Sequence, residues 1–493
     1  MARSLSSIIE KKAEWLPEHT FVRYPGPDWE TNGYRTITWR QYADAINKAA
    51  YWLDGQLGKS TDNDTIAYIG PPDPRYSIIL PAAIKTNRKL LIPDGRVTKE
   101  GVKSLINETK CTVWLDPHEN DSLTQELGIQ DTGLPKPIYH TNGYYSTMAS
   151  FNLSSRIHWT RGVAPCPPQW LGGLVAYIFF PVFLNTSSIL PTNVSGLPPA
   201  LFKKILQRNP VDGICCPPHT IHQLYNDIET HPLLKSLQCI IYLGAALDQN
   251  IGDDLWEHTK LTSIIGSTEN GPQLDLLPTD KRLWHTHDYV PENGYHMVHI
   301  PNSGPKQDGS GDFYELVLER QSDVNGDPSI YQCAFWNPMY NGLNTIETKE
   351  LYAPVKDIDG RTRWVFSARK DDLTKLSWLA KFHAQDIEIR IKKHPDILNV
   401  FVGGEGRPAP FVIVEPKESV LDTKGAEALL DELYESVVAQ ANKADIKEIR
   451  IPKETVLVAK REKAFKMSGK QTFLRKEIEK DYMEEIEAAY ERL

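Results

Sequence analysis

The chain reads as an α/β protein, with a large N-terminal domain of layered sheets and helices followed by a small C-terminal α+β domain. Three observations predict this. Helical apolar stripes alternate with short β-rich runs through the N-terminal part. A charged seam, Arg369-Lys370-Asp371-Asp372, follows the strand-like Trp364-Val365-Phe366. At 493 residues the chain is also long for a single core. The expected domains are residues 1–370 and 371–493.

Each element has a local reason. Tyr42 to Leu53 carries Ala43, Ile46, Ala49, Ala50 and Leu53 on one helical stripe, and Thr65 to Ile69 is a strand closed by Gly70-Pro71-Pro72. A second unit runs from a helix over Ser77 to Lys85 into a strand at Leu90-Leu91-Ile92, and a third ends at Cys111 to Leu115. Leu201 to Gln207 is expected helical, Val211 to Cys216 and Cys239 to Leu243 extended. Beyond the seam the pattern gives helix Asp386 to Lys393, strands Ile397 to Val402 and Pro410 to Val414, and helix Ala426 to Asn442. Strand Thr455 to Ala459 and a charged terminal helix complete the small domain.

Composition narrows the class. A net charge of −9 and a pI near 5.9 give no reason to expect nucleic acid or an anionic membrane as partner. The six cysteines lack zinc-ligand or disulfide spacing, and Cys215-Cys216 sits in an apolar run, so small buried filler is expected. The first residues lack the apolar core of a signal peptide, and the apolar run Leu171 to Leu184 is short for a bilayer and contains Pro181. A reducing cytoplasmic compartment fits.

Chemistry-bearing residues fall in short ordered blocks. Gly266-Ser267-Thr268-Glu269-Asn270-Gly271 follows the apolar Ser263-Ile264-Ile265. Small residues there expose backbone N–H groups, hydroxyls donate to phosphate, and a carboxylate suits a hard cation. An ordinary polar turn would read the same in isolation. Gly244-Ala245-Ala246-Leu247 ends a strand with side chains small enough for a flat ring to approach the backbone. The other blocks are Gly133-Leu134-Pro135-Lys136-Pro137, Thr348-Lys349-Glu350-Leu351, Ala368-Arg369-Lys370-Asp371-Asp372 and Ser468-Gly469-Lys470-Gln471-Thr472. Lysines crowd the last of these, so a solvated basic face is the plain alternative there.

In this order the blocks resemble the adenylate-forming superfamily, which activates a carboxylate with ATP as an acyl-AMP. Ile138-Tyr139-His140-Thr141-Asn142-Gly143, Ile66-Ala67-Tyr68-Ile69-Gly70-Pro71 and Gly404-Glu405-Gly406-Arg407-Pro408 look like the adenylation domains of fungal NRPS-like carboxylate reductases. The resemblance implies phosphate contacts from Thr132, Gly133, Lys136, Ser267 and Thr268, and a Mg2+ ligand in Glu269. It implies that Gly244, Ala245 and Ala246 face adenine, and that Glu350 and Arg369 face ribose. Trp170, Gly172 and Gly173 fall beside the acyl pocket, while Lys470, with Thr268 and Glu269, carries the chemistry. The seam becomes the hinge about which the small domain swings.

Several positions depart from the family pattern. Gln130 and Asp131 stand where the phosphate loop has small hydroxyl residues, and Glu119 to Glu126 lacks the strand that should launch it. A deletion or a lost exon segment accounts equally for that gap. Glu350 replaces an aspartate, Ala368 a glycine, and Trp170 a histidine; the indole could line the acyl pocket or fill it. Trp378-Leu379-Ala380-Lys381 replaces an Asn-Gly-Glu-Lys type turn in the thiol channel. No carrier serine motif or dinucleotide-binding glycine pattern is present, so reductase activity is not expected here. The expectation is ATP- and Mg2+-dependent acid activation within fungal secondary metabolism, with CoA, a separate carrier or another nucleophile as acceptor. The alternative is an impaired adenylation-like protein kept as a binding or scaffold subunit.

Overall fold

The computed structural model describes residues 5–94, 97, 99–115, 137–148, 159–192, 196–244, 246–278, 280–301, 312–370, 373–377, 381–420, 426–443, 447–467 and 473–493. Its contacts divide the chain into two units. One comprises Met1–Tyr295, Leu318–Ile346 and Asp357–Arg363, and the other His296–Val317, Glu347–Lys356 and Trp364–Leu493.

The first unit opens with α1 (Leu5–Trp15), β1 (Thr20–Pro25), β2 (Tyr34–Thr38) and α2 (Trp39–Leu57). Helix α2 starts where the sequence supplies a capping box: the Thr38 hydroxyl accepts from the Gln41 N–H, and the Gln41 side chain accepts from the Thr38 N–H. Its buried face is Trp39, Tyr42, Ala43, Ile46, Ala50 and Leu53. Tyr42 stacks on Phe21 with ring centroids 3.6 Å apart, a contact worth about 1 kcal/mol beyond the area it buries. Next come β3 (Thr65–Tyr68), α3 (Arg75–Lys85), β4 (Lys89–Leu91) and β5 (Val113–Leu115), whose strands form a parallel sheet in the order β4-β3-β5.

The principal sheet adds β6 (Arg161–Val163), β7 (Ser187–Ile189), β8 (Gly213–Cys216), β9 (Cys239–Leu243) and β10 (Lys260–Ile264), with α4 (Pro199–Arg208) between β7 and β8. Its order is β10-β9-β8-β6-β7-β1-β2, parallel from β10 to β1, with β2 antiparallel to β1. The central strands are apolar throughout because both faces are covered. Cys215, Cys239 and Ile241 join one core, while Ile214, Cys216, Ile240 and Tyr242 join the other. Cys166, Cys215, Cys216, Cys239 and Cys333 are buried as small filler and form no disulfide, while Cys111 is half-buried.

The run Leu171 to Leu184 forms α-helical ends around a π-helical turn at Val175–Phe179, where the Phe180 N–H reaches the Val175 carbonyl. Pro181, lacking an N–H, is accommodated just after that turn. Lys12 donates to the Pro181 carbonyl and the Asn185 side chain, both at 2.7 Å, and so ties α1 to this segment. Among the described residues no helix is long and apolar enough to cross a membrane.

In the second unit, Ile397–Gly403 pairs antiparallel with Phe411–Pro416, which pairs parallel with Val456–Val458. Alternate residues feed two cores. Val400, Val402, Val412 and Val414 pack with Ile387, Leu429 and Leu433 on one face. Phe401, Phe411 and Ile413 pack with Ile478, Tyr482 and Ile486 on the other. The helix expected from Ala426 to Asn442 is interrupted by a π-helical turn at Tyr434–Val438. Within it the Ser436 hydroxyl bonds back to the Glu432 carbonyl, a contact that loosens the regular ladder.

Candidate functional site

Residues Leu243 and Ile264 are register partners at the ends of parallel strands β9 and β10. The Gly244 segment and the Gly266 segment therefore leave the sheet side by side at its carboxyl edge. Gly244 has φ +88°, a left-handed conformation that favours glycine, in open surroundings. Gly244 and Ala246 are both exposed.

Beyond β10 the chain turns in a short hairpin, β11 (Gly266–Ser267) antiparallel to β12 (Gly271–Pro272). A side chain at Gly266 would meet the Gly271 carbonyl at 2.4 Å, and one at Gly271 would meet Cys333 at 2.6 Å. Both glycines are thus dictated by close approach. The Ser267 hydroxyl accepts the Asn270 N–H at 3.1 Å, leaving Thr268, Glu269 and Asn270 as the tip.

The tip is held by its backbone. His140 Nε2 donates to the Thr268 carbonyl at 2.8 Å, and the Tyr144 hydroxyl reaches the same oxygen at 3.4 Å. Asn337 donates its side-chain amide to the Glu269 carbonyl at 2.9 Å, and Tyr340 donates to Asn270 Oδ1 at 2.6 Å. Among the described residues, neither the Thr268 hydroxyl nor the Glu269 carboxylate has a hydrogen-bond or ion-pair partner. Desolvation lowers the pKa of His140 and raises that of Tyr340, the latter with help from the Glu269 charge.

Strand β6 connects onward to β7 on one side, whereas β8 connects onward to β9 on the other. Their carboxyl ends form a topological switch point, where open α/β sheets receive ligands. The segment after β6 carries Trp170, Gly172 and Gly173. The Trp170 indole N–H donates to Asp94 Oδ2 at 2.9 Å, joining this segment to the loop after β4. A side chain at Gly173 would fall 2.1 Å from the Pro167 carbonyl, so glycine is required, while Gly172 has only ordinary contacts.

Glu350 and Arg369 belong to the second unit, on the neighbouring strands Thr345–Lys356 and Thr362–Arg369. Glu350 is buried, accepts from the Tyr352 hydroxyl at 3.1 Å, and has its pKa raised to about 7. Burial is the main cause, opposed by Tyr352 and by the Arg369 charge. Lys349 beside it has φ +63°, uncommon for a residue with a side chain. Ala368 is not among the positive-φ residues, so alanine in place of glycine carries no backbone strain. Lys370 Nζ pairs with Glu315 Oε2 at 2.7 Å.

Ser267, Thr268 and Glu269 thus share one turn, flanked by the Gly244 segment. Thr132, Gly133, Lys136, Ala245 and Lys470 lie outside the described residues, as do Gln130, Asp131 and Trp378 to Ala380. Sequence reasoning assigned no role to His140, Asn337 or Tyr340, which grip the turn. Asn337 is fully buried, yet a polar residue beside Pro338 reads as a loop, and only tertiary contact gives it a partner.

Among the described residues, then, an α/β protein presents at the carboxyl edge of its parallel sheet a hairpin gripped by its backbone, with one hydroxyl and one carboxylate left uncommitted. Residues 132–300 match the AMP-binding enzyme family, and residues 371–493 match the AMP-binding enzyme C-terminal domain. The carboxylic acid reductase of Neurospora crassa is 25% identical over 548 residues, covering 99% of this chain and 51% of that protein. The adenylate-forming reductase stbB of Stachybotrys bisbyi is 24% identical, covering 76% of this chain and 34% of that protein. The chain spans about half or less of the length of these relatives. Among solved structures, ATP-bound MatB from Rhodopseudomonas palustris has a TM-score of 0.70 at 13% identity, covering 99% of this chain and 100% of that one. The A domain of carboxylic acid reductase from Segniliparus rugosus, in complex with AMP and a co-purified carboxylic acid, has a TM-score of 0.67 at 12% identity, covering 99% and 94%. The chain belongs to the AMP-binding, adenylate-forming superfamily and has its α/β fold, a large N-terminal domain with a small C-terminal one.

Proposed function

We propose that this protein activates a carboxylic acid with ATP as an acyl-adenylate. The observation that carries the reading is the Ser267–Glu269 turn, whose carbonyls are tied while its hydroxyl and carboxylate are uncommitted. In the proposed step a carboxylate oxygen forms a bond to the α-phosphorus, and the bond to the bridging oxygen breaks as pyrophosphate leaves with the electron pair. Positioning and preorganised charge do most of the work in such a transfer. Thr268 would contact phosphate, Gly244 and Ala246 would admit adenine against bare backbone, and Glu350 with Arg369 would face the ribose. Lys470 would place its ammonium on the charge shared by carboxylate and α-phosphate.

A magnesium ion fits the residues present. Among the described residues no group of three or more carboxylates, histidines or cysteines is placed to hold a metal ion by itself. A hard cation that keeps several waters and shares substrate phosphates needs only one uncommitted carboxylate, which Glu269 supplies. When bound, the ion would neutralise phosphate charge. The match of residues 371–493 to the C-terminal domain family supports a functional boundary at 370/371, with the hinge there. The proposal extends to a place in fungal secondary metabolism in the cytoplasm, with CoA, a separate carrier protein or another nucleophile as acceptor.

The test is acid-dependent exchange of labelled pyrophosphate into ATP across aryl and alkyl acids. Exchange with at least one acid is expected; folded protein silent across the panel defeats the proposal. A second reading, an impaired adenylation-like binding or scaffold subunit, is favoured by Glu350. Its carboxylate is buried and already engaged by Tyr352, unlike a group presented to a ribose. Titration with ATP separates the two readings, because magnesium-dependent micromolar binding speaks against an idle site.

A further inference from the structure

We propose that His140 is a positioning residue that locks the phosphate-facing turn by holding the Thr268 carbonyl. The proposal rests on the nucleotide reading of that turn, but its geometry stands independently. A carbonyl can only accept, so the 2.8 Å contact places a proton on His140 Nε2. The imidazole lies flat on the Tyr144 ring, centroids 4.0 Å apart and planes 4° apart, and meets Tyr145 edge-on at 5.9 Å. Two aromatic neighbours therefore fix its plane and aim its N–H.

The base of this arm is itself anchored. Thr141 caps the helix Asn142–Ser146 by accepting the Tyr144 N–H at 3.1 Å, and donates to the Trp336 carbonyl at 2.8 Å. Gly143 lies so close to Trp336 that an added side chain would fall 1.9 Å from the indole. On the other flank Asn337, the residue after Trp336, holds the Glu269 carbonyl at 2.9 Å. One clamp, built from residues 140–145 and 336–340, thus takes successive carbonyls of the turn from two directions. The turn's backbone is oriented before any ligand arrives, which is what a site relying on positioning requires. His140 touches no reacting atom in this account. Its effect passes through Thr268 and Glu269.

The experiment compares His140→Phe, which keeps a flat ring for the stack but loses the donor, with His140→Gln, which loses the stack but keeps an N–H. Amide hydrogen exchange over the hairpin and calorimetric titration with MgATP are measured on the full chain. For His140→Phe the hairpin is expected to exchange about 10-fold faster and MgATP to bind about 10-fold more weakly, the scale of one lost hydrogen bond. His140→Gln should recover most of both, and exchange in the strand pair Ile397–Gly403 and Phe411–Pro416 of the second unit should be unchanged. Hairpin protection in His140→Phe equal to wild type overturns the proposal, as does loss without recovery in His140→Gln. If His140→Phe does not fold, His140→Leu against His140→Gln decides the same question. Wild-type protein that binds no MgATP would defeat the nucleotide reading, while hairpin exchange would still decide the role of His140.

Discussion

Asn337 donates its side-chain amide to the backbone carbonyl of Glu269 across 2.9 Å, from a position with no exposed surface. The contact joins a residue of an irregular loop to the residue expected to meet the cation. Among the described residues the Glu269 carboxylate itself stays without a hydrogen-bond or ion-pair partner. Asn337→Leu should strand that carbonyl and cost about 1–3 kcal/mol, the range for an unpaired buried group. Chemical denaturation measures the loss, and a midpoint unchanged from wild type would refute the assigned contact.

Glu269→Gln keeps the shape of the side chain and removes its charge. The residue is only partly buried and has no ion pair among the described residues, so stability should change by less than about 0.5 kcal/mol. The magnesium dependence of ATP binding should largely disappear. Titrations with and without the ion test this, and an intact magnesium effect would place the cation elsewhere.

Lys470→Ala should lower acid-dependent pyrophosphate exchange by at least about 100-fold, the scale of losing one preorganised charge in the transition state. Equilibrium ATP binding should fall much less. Equal losses in both measurements would assign Lys470 to ground-state binding.

Glu350 supplies a pH signature. Its pKa rises from 4.5 in the unfolded chain to about 7 in the fold. The native state therefore holds the proton more tightly, and stability falls as pH rises from about 4.5 through 7. At about 1.4 kcal/mol per pH unit the fall amounts to roughly 3 kcal/mol. Glu350→Gln should remove this component, gaining stability relative to wild type at pH 8 but not at pH 4.5. Equal wild-type and variant pH profiles would contradict the burial of an ionising group. Nucleotide affinity should move the other way, because ribose hydroxyls donate better to the ionised carboxylate.

Gly271→Ala and Gly244→Ala separate space from backbone strain. Both glycines have positive φ, but only at Gly271 would the new carbon meet Cys333 at 2.6 Å. Gly244→Ala should cost about 1 kcal/mol and Gly271→Ala more than about 2 kcal/mol in denaturation. Equal costs would mean that the hairpin shifts to make room.

Local patterning carried much of the fold. The stripe in α2, the continuous apolar strands β8 and β9, and the alternation in Ile397–Gly403 each follow from which faces must be covered. Element ends moved by a residue or two, as at β8, which starts at Gly213 rather than Val211. The π-helical turns escaped notice because a single inserted residue barely changes the apolar period. Ser267, Thr268 and Glu269 were legible as a small polar block behind a strand, and the structure sets them in one hairpin.

By itself, the sequence determined the α/β class, the strands that launch the site and the residue types able to meet phosphate and a cation. Those are consequences of neighbours along the chain. Tertiary structure alone decided that His140, Asn337 and Tyr340 would hold the turn, that Trp170 would bond to Asp94, and that Glu350 would be buried beside Tyr352. Such contacts join residues brought together by sheet order and loop closure, and a hydrogen-bonding side chain carries no mark of its partner until the chain has folded around it.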